Sequence, residues 1–104
     1  MEVNFKKYSG TGNDFIIIDN RNFVFSSKAK ESIEKLCNRN FGIGADGLIL
    51  IENSNKAEFK MVFYNSDGNL GSFCGNGSRC AVSFYNSIKG IDEKVIFEAY
   101  DGIH

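Results

Sequence analysis

The sequence predicts a mixed α/β domain of the α+β type, and three observations carry that prediction. Short β-rich runs alternate with turns rich in glycine and asparagine, two segments repeat apolar residues at helical spacing, and no proline or low-complexity tract marks a linker. Compact domains most often run to roughly 100–150 residues, so 104 residues make one domain or part of one.

Val3, Phe5 and Tyr8 flank Lys6 and Lys7 in a short alternating stretch, and Phe15 to Ile18 is a continuous β-rich run. Two strands therefore bracket the loop SGTGND, Ser9 to Asp14. Ser26 or Ser27 can cap a helix whose apolar positions Ala29, Ile33, Leu36 and Cys37 follow helical spacing to about Asn38. Its exposed face carries Lys28, Lys30, Glu31, Glu34 and Lys35. After the glycine-rich loop NFGIGADG, Leu48–Ile51 and Phe59–Tyr64 read as a hairpin joined by the polar segment ENSNKAE, and Asp67-Gly68 makes the next turn. Cys80, Ala81, Val82, Phe84, Tyr85 and Ile88 recur at the spacing of a buried helix face, with Gly90 where a C-terminal cap belongs. Val95–Tyr100 reads as a last strand running into Asp101-Gly102, a two-residue hairpin signal. Its partner strand is absent after Ile103-His104, and because proteins normally cover such an edge, the chain is expected to be a fragment.

Hydrophobic residues make up 42% and aromatics 13%, the apolar content of a folded chain rather than a disordered one. A chain this short buries only about two-thirds of its unfolded surface. Oligomerisation, a homodimer in the simplest case, or a missing segment would help to cover it. Twelve basic and 13 acidic residues are scattered along the chain, which leaves no electrostatic footprint for nucleic acid or an anionic membrane. No apolar run reaches membrane-spanning length, and MEVNFKKYSG lacks the apolar segment of a signal peptide. The expected location is the cytoplasm, where an odd count of three cysteines stays reduced.

The motif with the most chemistry is CGNGSRC, Cys74 to Cys80, which places a thiol directly before a Gly-Asn-Gly turn that opens a helix. Unpaired N–H groups and the positive end of the helix dipole favour negative charge there, lowering a thiol pKa from about 8.5 towards neutral or holding a carboxylate. Cys74 is thus a candidate nucleophile or base. Cys37 and Cys80 fall on apolar helix faces, where a free cysteine is usually a small buried hydrophobe. Asn13 and Asn65 lie at loop or strand ends beside Asp14 and Asp67, where asparagine either builds a turn or binds a ligand, and Asn76 can be an N-cap.

GIGADG, Gly42 to Gly47, matches the dinucleotide fingerprint letter for letter, yet that motif needs a strand before it and a helix after it. The order here is reversed, so the glycines read as tight-turn positions and no nucleotide cofactor is expected. GTGNDF lacks the Lys-Ser/Thr of a phosphate loop. Cys74 and Cys80 are not spaced as a zinc pair, so no metal is expected.

SGTGNDF (Ser9–Phe15), LCNRNFGIGADGLILI (Leu36–Ile51), FYNSDG (Phe63–Gly68) and CGNGSRC (Cys74–Cys80), in that order, closely resemble the N-terminal half of diaminopimelate epimerase. Proline racemase and the phenazine-biosynthesis isomerases, which share the fold, are less similar; the racemases tend to carry a histidine where this chain has Asn76. The resemblance implies a half-domain over residues 1–104, a curved and mainly antiparallel sheet wrapped around a central helix at Ala81–Ile88. It implies a cofactor-independent interconversion of LL- and meso-diaminopimelate, on the route to lysine and peptidoglycan, by two opposed cysteines of which Cys74 matches one. Gly75 and Asn76 match donors at the helix start, and Asn13 and Asn65 match residues that bind the substrate. The second cysteine would come from the absent C-terminal half. This chain departs from the family pattern at Asn69-Leu-Gly-Ser-Phe, where one or two glutamates and a methionine are common. Alternatives are a related racemase or phenazine-type isomerase, and a non-catalytic half-domain that binds a small molecule.

Overall fold

The computed structural model describes residues 5–9, 12–21, 30–40, 42–71, 75–90, 96–99 and 102–103. Val3, the caps Ser26 and Ser27, the helix position Ala29, Cys74, the strand ends Val95 and Tyr100, Asp101 and His104 lie outside them. Among the described residues six strands form one sheet in sequence order: β1 (Phe5–Ser9), β2 (Asp14–Asp19), β3 (Gly47–Glu52), β4 (Phe59–Asn65), β5 (Phe97–Ala99) and β6 (Gly102–Ile103). Helix α1 (Lys30–Cys37) joins β2 to β3, and α2 (Gly75–Lys89) joins β4 to β5.

The pairs β1–β2, β3–β4 and β5–β6 are antiparallel, whereas β2–β3 and β4–β5 are parallel. Parallel neighbours need a long crossover, and each helix supplies one. Because β4 runs opposite to β2, two crossovers of the same hand place their helices on opposite faces of the sheet. The side chains sort accordingly. Phe15, Ile17, Ile49, Ile51, Phe59 and Met61 pack with Cys80, Ala81, Phe84 and Tyr85 of α2. Ile16, Ile18, Leu48, Leu50 and Tyr64 pack with Ile33 and Cys37 of α1. Strands covered on both faces need no polar side, which is why Phe15–Ile18 and Leu48–Ile51 are unbroken apolar runs, all at most 2% exposed.

Ile33, Leu36 and Cys37 give α1 its buried stripe, as the spacing predicts. Tyr85 of α2 stacks on Phe59 of β4, which also stacks with Phe97 of β5, with ring centroids 4.6 and 5.3 Å away, and the Tyr85 hydroxyl donates to the Glu58 carbonyl at 3.3 Å. That anchors the second half of α2 over the start of β4. Gly90, at φ +70°, ends the helix as expected, its N–H reaching the Ser87 carbonyl.

Two local expectations are corrected. Ala99 pairs with Gly102, so Gly102 belongs to the ladder and not to the two-residue Asp101-Gly102 turn expected from the sequence. The partner strand expected to be absent is therefore present, as β6. No helix among the described residues is long and apolar enough to cross a membrane.

Candidate active site

Strand register gathers the singled-out residues at one end of the sheet. Phe15 lies opposite Gly47 in the parallel β2–β3 pair, and Gly47 lies opposite Asn65 in the antiparallel β3–β4 pair. Asn13, just before β2, and Asn65, the last residue of β4, therefore stand at the same sheet end, about two strand spacings or roughly 10 Å apart laterally. Gly75 precedes Tyr85 by ten residues, about 15 Å of helix. With Tyr85 pinned at the start of β4, the N-terminus of α2 comes to this same end.

Asn65 does build a turn, but with its backbone. Its carbonyl accepts from Gly68 N–H and its N–H donates to the Asn69 carbonyl, both at 2.9 Å, while Gly68 takes φ +85° in the expected Asp67-Gly68 turn. Asn65 itself is exposed at the sheet end. Beyond the turn Leu70 bridges Tyr64 and Gly71 N–H donates to the Phe63 carbonyl at 2.8 Å, so the chain doubles back along β4 before Cys74. The Phe63 ring occupies the space where a Cβ on either Gly47 or Gly71 would stand, and meets Phe15 edge to face at 5.9 Å. Glycine at both positions lets the ring lie across the strand ends.

Asn13 is held in a charged network that joins β1, β2, the exit of α1 and the start of β3. Its amide Nδ2 donates to Asp46 Oδ2 at 3.3 Å, and the same oxygen accepts the Asp14 N–H at 3.1 Å. Asp46 N–H in turn reaches the Asp14 carbonyl at 2.9 Å. Arg39 pairs with both carboxylates, and Lys7 Nζ stands 3.2 Å from Asp14. The Arg39 hydrogen bonds hold the Asp14 carboxyl well below the usual carboxylate range, against a smaller opposing effect of burial, and the same pairing raises the Arg39 guanidinium.

GIGADG caps a helix. Gly42, Gly44 and Ala45 donate their N–H groups to the carbonyls of Asn38, Leu36 and Cys37, the last of α1 and the residue after it. A Cβ at Gly42 would run into the Lys35 and Leu36 carbonyl oxygens, so only glycine passes under the helix end. These amides serve the fold rather than a phosphate.

Of the site residues expected from sequence, Asn13 and Asn65 share one end of the sheet. Gly75 and Asn76 are the first two residues of α2. Asn76 thus lies inside the first turn, where backbone N–H groups lack intrahelical acceptors, and not before it as an N-cap. Cys74 lies outside the described residues and directly precedes α2 in the chain. Cys37 and Cys80 are buried in the two separate cores and in no disulfide, and burial pushes the Cys37 thiol up to about 11. Sequence reasoning misses Arg39 and Asp46; the available signal is a charged residue beside each glycine loop, in Asn13-Asp14, Asn38-Arg39 and Ala45-Asp46.

The family model for diaminopimelate epimerase matches residues 5–103. A diaminopimelate epimerase from Flavobacterium psychrophilum is 57% identical over 98 residues, covering 94% of this chain and 38% of the relative. One from Prochlorococcus marinus (strain NATL1A) is 53% identical, covering 89% and 34%, and one from Aquifex aeolicus is 44% identical, covering 97% and 39%. The chain thus spans little more than a third of the length of these relatives. Among solved structures, a PhzF-family phenazine biosynthesis protein from Bacillus anthracis superposes on 97% of the chain and 33% of its own, with a TM-score of 0.67 at 18% identity, a likeness of fold alone. With a match running through both helices and all six strands, the chain belongs to the diaminopimelate epimerase family.

Proposed function

We propose that the chain forms one wall of the active site of a cofactor-independent epimerase that interconverts LL- and meso-diaminopimelate, with Cys74 as one of two opposed acid/base groups. The observation that carries this reading is the convergence of Asn13, Asn65 and the start of α2 on one end of the sheet, in a chain whose relatives are diaminopimelate epimerases.

An amino-acid α-proton is very weakly acidic, so its removal requires a positioned base and donors aimed at the charge that builds on the carboxylate. In the proposed step the Cys74 thiolate takes the α-proton and becomes a thiol. The C–H electron pair moves onto the carboxylate as an enediolate, met by N–H groups of Gly75 and Asn76 at the positive end of α2. A thiol on the opposite face returns a proton to the α-carbon and is left as thiolate, which completes inversion. Cys37 and Cys80, at 4% and 5% exposure within the cores, cannot face the substrate, so the second acid comes from outside these residues. Asn13 and Asn65 supply neutral amides for the ammonium and carboxylate groups. Two buried cysteines in no disulfide fit a reducing compartment, the cytoplasm in this reading.

Proton NMR of LL-diaminopimelate with the full-length protein, in deuterated buffer with reductant, tests the proposal. Loss of the α-proton signal together with meso product is expected. A folded protein that exchanges no α-proton, or that exchanges proline and not diaminopimelate, would sink it.

A further inference from the structure

We infer that Asp46 is a positioning residue for Asn13, fixing the orientation of the amide that the proposed function assigns to substrate binding, and the inference rests on that assignment. An asparagine side chain is nearly symmetric in shape, and its two ends differ only in hydrogen bonding. The Asp46 carboxylate is an acceptor only, so the end of Asn13 that faces it at 3.3 Å is Nδ2, and Oδ1 lies on the other side of the amide. A side chain at position 46 with no hydrogen-bond acceptor would leave the flip open.

Asp46 is itself restrained from three directions. Its Oδ2 accepts the Asp14 N–H at 3.1 Å, its Oδ1 accepts from Arg39 Nη2 at 3.2 Å, and its own N–H donates to Asp14 Oδ1 at 3.2 Å. The same Arg39 nitrogen also reaches Asp14 Oδ1 at 2.8 Å. The tips of β2 and β3 and the exit of α1 therefore form one tied unit, and the Asn13 amide takes its orientation from it. Asn13 and Asp46 are 33 residues apart, so the restraint exists only in the folded protein.

A double-mutant cycle in the full-length protein, with diaminopimelate as substrate, tests the inference. Asp46→Ala is expected to raise KM about tenfold with a smaller change in kcat, and to add little once Asn13→Ala is present. Asp46→Asn keeps an acceptor for the amide while losing the charge that Arg39 pairs with, and is expected to recover most of the loss. Additive effects of the two alanine substitutions, or an Asp46→Asn variant as impaired as Asp46→Ala, would assign Asp46 a general structural role instead. The Asn13 side-chain amide resonances give a readout independent of substrate: a shift in Asp46→Ala supports positioning and an unmoved pair overturns it. If the protein fails to turn over diaminopimelate, the proposed function falls, and those resonances alone decide the role of Asp46.

Discussion

Arg39 grips Asp14 through two nitrogens, Nη2 to Oδ1 at 2.8 Å and Nη1 to Oδ2 at 3.1 Å, tying the exit of α1 to the start of β2 across 25 residues of chain. The two parallel N–H···O bonds match the planar guanidinium to the carboxylate, a geometry lysine cannot reproduce. Arg39→Ala is therefore expected to let the Asp14 carboxyl climb towards its ordinary value of about 3.9. A carboxyl depressed in the folded state contributes stability above its unfolded pKa and loses it as pH falls through the folded one. The stability gap between wild type and Arg39→Ala should be full at neutral pH and narrow below about pH 4. Urea unfolding of both proteins across that range checks it, and a gap independent of pH would exclude the ionised pair as its source.

The three thiols should separate cleanly under alkylation. Cys37, buried against Ile33 and the strands and pushed up to about 11, and Cys80, buried on the sheet-facing side of α2, are expected to resist iodoacetamide near neutral pH. Cys74 is expected to react first. Peptide mass spectrometry before and after denaturation reads the order, and native labelling of Cys37 ahead of Cys74 would contradict it.

Gly71→Ala would drive a methyl group into the Phe63 ring, since the nearest atoms to a Cβ there belong to that ring, with Asn65 Nδ2 next at 3.4 Å. Overpacking of this kind costs about 1–3 kcal/mol. In a Phe63→Leu background the added cost should shrink, because the obstructing ring edge is gone. Equal penalties in the two backgrounds, measured by chemical denaturation, would show that Phe63 is not what the glycine accommodates.

Cys74→Ala should reduce α-proton exchange of diaminopimelate by about a thousandfold or more, the order expected for losing a general base, with little change in unfolding temperature. Wild-type exchange in that variant would remove Cys74 from the chemistry.

Much of this fold is legible from the order of residues. Phe15–Ile18 and Leu48–Ile51 read as strands because short apolar β-rich runs bounded by glycine and asparagine have few other uses. The stripe from Cys80 to Tyr85 and the Gly90 cap mark α2 for equally local reasons, whereas Ile88, expected on the same buried face, lies exposed in the last turn, beyond the part of the helix that packs on the sheet. Asn13, Asn65, Gly75 and Asn76 stand out through motifs in a characteristic order. The register of the last hairpin is less legible, since Asp101-Gly102 is a sound turn signal that the pairing of Ala99 with Gly102 sets aside.

Local propensity, spacing and motif order by themselves determined which segments are strands and helices, where they turn, and which family the chain resembles. They act over a few residues and leave a trace in them. Only the tertiary structure decided that α1 and α2 cover opposite faces, that the start of β2 and the end of β4 lie at the sheet end to which the start of α2 comes, and that Arg39, Asp14 and Asp46 lock Asn13 in place. The physical reason is that an ion pair or a shared strand end depends on residues brought together from distant parts of the chain, and an arginine or aspartate carries no local mark separating a member of such a network from a solvated charge.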